Sequence, residues 1–219
     1  MRKLQFNFKT EWFSWLMILS TVAIAIYAYP LLPDRVPSHW NLAGQIDGWT
    51  SRNGHVFGIG GLIVGMYILF LVLPHFEPRK EHFVRSLGFY QMIRNVMMAF
   101  FALIFGLTSY IAVTGNMLQV DKIIPVAVGV LFILIGNYLP QIKSNFFMGI
   151  RTPWALDNEE NWRKTHHLGA YTFVLGGLLF IASPFIPTPF NFYLPLAGIL
   201  FASFFPMLMS YIWFKQGNK

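Results

Sequence analysis

Six runs of this 219-residue chain contain no Asp, Glu, Lys or Arg: 12–30, 56–74, 96–114, 123–142, 168–187 and 190–214. Crossing the ~30 Å hydrocarbon core of a bilayer takes about 20 helical residues, and every run is close to or above that length. Composition agrees: 55% of residues are hydrophobic and 11% charged, more apolar surface than a soluble domain of this size covers. The expected fold class is an all-α integral membrane protein with six transmembrane helices. The first run follows Arg2, Lys3 and Lys9, as a signal peptide would, but it is longer than a signal core. It ends in Tyr27-Ala-Tyr-Pro-Leu-Leu-Pro, without a small-x-small cleavage site, so it is expected to remain as helix one.

Lys and Arg are retained on the cytoplasmic side of a membrane. With the N-terminus inside, Arg35, Arg52 and Lys122 stay outside and the other 13 of the 16 cations lie inside, Arg2, Lys3 and Lys219 among them. The expected location is thus a cell membrane crossed several times, with both termini cytoplasmic. That topology, with anionic inner-leaflet lipid as a partner, accounts for the net charge of +7; direct nucleic-acid binding is not expected. Trp12, Trp15, Tyr27, Tyr29, Tyr138, Tyr193, Tyr211 and Trp213 fall near helix ends, as interfacial anchors do. The chain has no Cys, which removes disulfides, thiolate nucleophiles and Cys metal sites together.

Three helices fall in residues 1–115, with an outer loop at 31–54, and three in residues 116–219, with a cytoplasmic motif loop at 143–167. Tyr29, Pro33, Ser38, Asn41, Gly44 and Trp49 are echoed by Tyr138, Pro140, Ser144, Asn145, Gly149 and Trp154. Two inverted three-helix halves would produce that echo, and so would the recurrence of Pro, Gly and aromatics at helix ends. Glu77, Arg79, Lys80, Glu81 and Arg85 suggest an interfacial helix in the connection 75–95.

The outer loop reads Leu32-Pro-Asp-Arg-Val-Pro-Ser-His-Trp-Asn-Leu-Ala-Gly-Gln-Ile-Asp-Gly-Trp. Its prolines keep the chain extended, while Asn41 with Gly44 and Asp47 with Gly48 are turn pairs. It reads as a small rigid lid presenting Asp34, His39, Trp40, Asn41 and Asp47 to a ligand or peptide, or else as residues that satisfy the turn's own backbone. One His lacks a second imidazole at ligand spacing, so no metal is expected there.

The inner loop concentrates polar chemistry: Asn145, Arg151, Trp154, Glu160, Trp162, Arg163 and His166 follow Asn137 at the end of the fourth run. Thr152 precedes Pro153 and is expected to be extended. Asp157 with Glu160 matches a capping box, placing a helix start at Asn158. Trp162 with His166, and Arg163 with His167, then share faces one turn apart, and Glu159–Arg163 and Glu160–Lys164 are at ion-pair spacing. Glu160 with His166-His167 is not the His-Glu-x-x-His spacing of a zinc site, and no nucleophile elbow, phosphate loop or dinucleotide fingerprint is present. No catalytic residue, metal or cofactor is expected.

The outer stretch resembles a bacterial membrane domain of unknown function. The inner stretch, Gly136-Asn-Tyr-Leu-Pro, then Lys143, Asn145, Phe146, Phe147, Gly149-Ile-Arg-Thr-Pro-Trp, Glu159-Glu160 and Trp162-Arg-Lys-Thr-His, resembles the SdpI family. That resemblance implies a membrane protein giving immunity to a secreted peptide toxin and transducing its signal, with a small winged-helix repressor as a cytoplasmic partner. The competing readings are a small-molecule or lipid transporter, in which Asn137 and broken helix ends line a cavity, and an envelope-modifying enzyme using Arg151, Glu160, His166 and His167. Convergence of Arg151, Asn145, Glu160 and His166 on one pocket favours a ligand or catalytic site; outward display favours a protein partner.

Overall fold

The computed structural model describes residues 8–41 and 44–217; Arg2, Lys3 and Lys219 of the cation count lie outside them. Among the described residues, six helical spans are long and apolar enough to cross a membrane: Phe8–Ala28, Gly54–Phe76, Leu87–Thr114, Val120–Gln141, Glu159–Phe185 and Phe190–Gly217. Each contains one of the six uncharged runs or all but its last few residues. Large apolar side chains stay exposed along them, such as Leu19, Ile68 and Leu208, because here the solvent for those faces is lipid. The protein is an all-α, multi-pass membrane protein.

The chain divides into two compact units, 1–73 with 91–121 and 74–90 with 122–219. The connection at 74–90, which lies in the N-terminal half of the sequence, belongs to the second unit. In the first unit, α1 (Phe8–Ala28) leads to a two-stranded antiparallel hairpin, β1 (Arg35–Trp40) and β2 (Ile46–Ser51), with a bulge near His39. Gly54–Gly60 is a π-helical turn that runs into α2 (Gly61–Val72). Ile18, Ile63, Tyr67, Met98 and Phe105, from α1, α2 and α4 (Leu87–Thr114), form the unit's core. A smaller cluster of Ala28, Leu32 and Val36 anchors the hairpin, packed by Val56, Ala112 and Val113. The hairpin supplies regular backbone pairing where the sequence suggested only a turn-rich lid.

Charged residues enter the helices where the apolar runs stop short. The helix α4 begins nine residues before the run at 96–114 and so carries Arg94, which is fully buried. Glu11, in the early part of α1, meets it at 2.8 Å, and Arg94 Nη2 donates to the Thr10 carbonyl at 2.8 Å. Asn95 Oδ1 accepts from Ser14 at 3.2 Å.

In the second unit, α3 (Lys80–Arg85) is the expected interfacial helix, only six residues long. It is followed by α5 (Val120–Tyr138), α6 (Pro153–Asp157), α7 (Glu159–Ala182) and α8 (Phe190–Gly217). A Cβ on Gly129 would stand 2.5 Å from the Gly177 carbonyl, and one on Gly177 2.6 Å from the Gly129 carbonyl. Small residues let α5 and α7 backbones touch, the device by which helices associate where lipid supplies no hydrophobic drive. Thr172 Oγ1 adds a bond to the Ala202 carbonyl at 3.3 Å between α7 and α8.

Candidate functional site

The inner loop is held by side chains that bond its backbone. Thr152 is extended, at φ −80° and ψ 152°, and caps α6 by accepting from Ala155 N at 3.1 Å. Asn158, rather than Asp157, caps α7: its Oδ1 accepts from Asn161 N at 2.9 Å. The helix start therefore lies one residue after the expected one, since the Asx side chain immediately before Glu159 is the one that reaches the orphan N–H.

Between α5 and α6, Asn145 is fully buried. Its Oδ1 accepts from Phe147 N at 2.9 Å and Met148 N at 2.7 Å, and its Nδ2 donates to the Lys143 carbonyl at 2.8 Å. His166 closes the loop against α7. Its Nδ1 bonds the Trp162 carbonyl at 2.8 Å, and its Nε2 accepts from Ile150 N at 3.1 Å. A backbone N–H can only donate, so this pair of partners fixes neutral imidazole with its proton on Nδ1. Trp162 stacks on the same ring at 4.1 Å and donates its indole N–H to the Ile142 carbonyl at 2.8 Å. Gly149 makes the approach possible, because its φ is +93° and a Cβ there would run into His166 Nε2.

The connection at 74–90 buttresses this loop from outside it in sequence. Glu77, 1% exposed, accepts from Arg79 N at 2.8 Å and Phe146 N at 3.0 Å. Arg79 bonds Ser144 Oγ, reaches the Leu156 carbonyl at 3.3 Å and lies 4.9 Å from the Phe146 ring centre. His82 bonds the Ser144 carbonyl at 2.9 Å, and Ser86 Oγ accepts from Lys143 N at 2.9 Å. On the other flank, Thr152, Asn161, Thr165 and Ser210 form a buried polar cluster. Asn161 Oδ1 accepts from Ser210 at 2.8 Å and Thr165 at 3.0 Å, while Asn161 Nδ2 donates to the Ser210 carbonyl at 2.8 Å. With its own proton given to Asn161, Ser210 Oγ accepts from Thr152 Oγ1 at 2.8 Å.

Arg151, Asn145, Glu160 and His166 do not converge on a pocket. Arg151 is exposed and donates to the Phe146 carbonyl. Glu160 is exposed and pairs with Lys164 at 2.7 Å, beside a groove of about 310 Å³ shared with Asp157 and Trp213. Arg163 is exposed, and Glu159 lies 3.9 Å from His82. Trp154 is half-buried, its ring 4.8 Å from that of Tyr211. Asn137 is exposed on α5. Glu77, Arg79, Ser86, Asn161 and Ser210 were not expected at the site. Only the basic and acidic character of 77–85 hinted at the first two.

Outside this loop, the hairpin brings His39 and Asp47 together at 2.5 Å. Asn41 holds the turn through Gln45, accepting from its N–H at 3.0 Å, and Asp34 pairs with Arg52 at 3.1 Å. Trp40 is half-buried, with an indole N–H that has no hydrogen-bond partner among the described residues. Among the described residues no three His, Asp or Glu side chains gather as metal ligands.

Residues 141–211, which span the loop, α6, α7 and most of α8, match the SdpI/YfhL protein family. Residues 16–64, which span most of α1, the hairpin and the start of α2, match a domain of unknown function, DUF1648. The chain is 23% identical over 194 residues to Immunity protein SdpI from Bacillus subtilis (strain 168), covering 89% of this chain and 90% of that protein. No solved structure matches it. The chain is thus a membrane protein with a region similar to the SdpI/YfhL family at 141–211 and a region similar to DUF1648 before it.

Proposed function

We propose that this protein gives its cell immunity to a membrane-active peptide toxin. The observation that carries the reading is the similarity to Immunity protein SdpI over nearly the whole of both chains, which takes in the hairpin and the inner loop together. The site geometry supports it: side chains at the inner loop are spent on holding backbone, as Asn145 and His166 are, or are displayed outward, as Arg151 and Glu160 are. On this reading Asp34, His39, Trp40, Asn41 and Asp47 of the hairpin meet the peptide at the outer surface. Asn145, Trp162 and His166 hold the inner loop rigid, while Glu160 and Arg163 project where a cytoplasmic protein can reach them. A small winged-helix repressor is the partner class implied by the family resemblance. Signalling to it requires two arrangements of the protein whose balance the toxin biases.

The test is deletion in the native host and complementation, scored as survival against secreted membrane-active peptides. Deletion should sensitise the cell to at least one peptide, and the wild-type chain should restore survival. Replacing His39 and Asp47 together by Ala should weaken protection at normal membrane levels. Unchanged survival of the deletion strain against every producer strain tried would remove the reading.

A further inference from the structure

The connections 77–86 and 142–158 both lie between spans, after Phe76 and before Leu87, and after Gln141 and before Glu159. They meet through Glu77, Arg79, His82 and Ser86, so both sit at the same membrane boundary. Where they meet, the surface is cationic. Arg85, Lys143 and Arg151 are exposed, and Arg85 adjoins the Ser86 that bonds Lys143 N. Phe146, 41% exposed, lies against the Arg79 guanidinium, and its carbonyl holds Arg151. Of the acids near it, Glu77 is buried and committed to two backbone N–H groups, while exposed Glu159 lies 3.9 Å from His82. Lys80 and Glu81 are both exposed on α3.

We propose that this face is a binding site for an anionic phospholipid headgroup. The Arg151 guanidinium has five N–H donors and the structure commits one to Phe146, leaving a planar fork suited to two phosphate oxygens. Lys143 contributes a point charge, because only its backbone is engaged by Ser86. An exposed aromatic ring between cations is at home where acyl chains give way to headgroups. A cluster of cations against a membrane boundary attracts anionic lipid by about 1 kcal/mol per Lys or Arg. The site goes beyond the immunity reading and stands without it.

The full-length protein, reconstituted in nanodiscs holding equal amounts of phosphatidylglycerol and phosphatidylcholine, is released for native mass spectrometry and its retained lipids are counted. Wild type should retain phosphatidylglycerol preferentially. Arg85→Gln, Lys143→Gln and Arg151→Gln should each lower that retention by roughly fivefold, while Lys122→Gln, a cation at the start of α5, should not. Millimolar inorganic phosphate should fail to displace the lipid. If the Arg85→Gln or Arg151→Gln protein does not fold, Lys143→Gln alone decides, since it leaves the bond to Ser86 intact. Equal retention of the two lipids, displacement by free phosphate, or wild-type retention in the variants would each overturn the proposal. The last result would leave the face to a cytoplasmic protein.

Discussion

Gly149 and His166 are the pair on which the inner loop turns. A left-handed φ excludes ordinary side chains, and here a Cβ would also strike the imidazole that caps Ile150 N. Gly149→Ala should therefore cost roughly 2–4 kcal/mol, combining backbone strain with overpacking. His166→Phe keeps a ring against Trp162 but leaves the Ile150 N–H and the Trp162 carbonyl without their side-chain partner, at about 1–3 kcal/mol for the buried N–H alone. Denaturant melts in detergent measure both. A Gly149→Ala protein as stable as wild type would show that the loop does not depend on this contact. The Gly-Ile-Arg-Thr-Pro-Trp motif was visible in the sequence, but the need for glycine was not. It comes from a histidine 17 positions away that only the fold places beside it.

At the scale of elements, α1 and α4 are joined by an ion pair that the apolar runs concealed. Arg94 and Glu11 have side chains 1% and 5% exposed. In low dielectric, removing one member of such a pair leaves an uncompensated buried charge, at about 3–5 kcal/mol, while replacing both by apolar groups is often near neutral. Glu11→Leu and Arg94→Met should each destabilise, and the double substitution should recover most of the loss. A double-mutant cycle on thermal unfolding measures this, and additive losses would mean the two charges do not depend on each other. The same principle explains the helix boundaries. Counting uncharged residues started helix one at Trp12 and helix three at Val96, yet pairing lets α1 include Glu11 and α4 include Arg94.

For the whole molecule, the contacts between 77–86 and 142–158 place the second and fourth connections at one boundary, as alternating crossings require. The positive-inside argument gives the cytoplasmic side as the expectation for that boundary. Single cysteines at Ser38 in the hairpin and Asp157 at the end of α6, both exposed, should react with an impermeant thiol reagent from outside and inside respectively. The opposite pattern would invert the topology and, with it, the faces assigned to toxin and cytoplasmic partner. Asp157 serves better than Asn158, whose side chain caps α7.

The spans were legible in the sequence because hydropathy is a local property: about 20 uncharged residues in a row need no partner to be read as a crossing. Local rules also reached the extended Thr152, the Trp162–His166 face, the Glu160–Lys164 pair and, within one residue, the start of α7. Tertiary structure decided which polar residues are scaffold and which are surface. Glu77 serves Phe146 from 69 positions away, Ser210 serves Asn161 from 49, and Arg94 meets Glu11 across 83. No periodicity links such positions, since a buried polar group takes its partner from whichever element packs beside it. For the same reason Asn145 and His166, which read as candidates either for partner contact or for a structural role, hold the loop together, while Arg151 and Glu160 face outward.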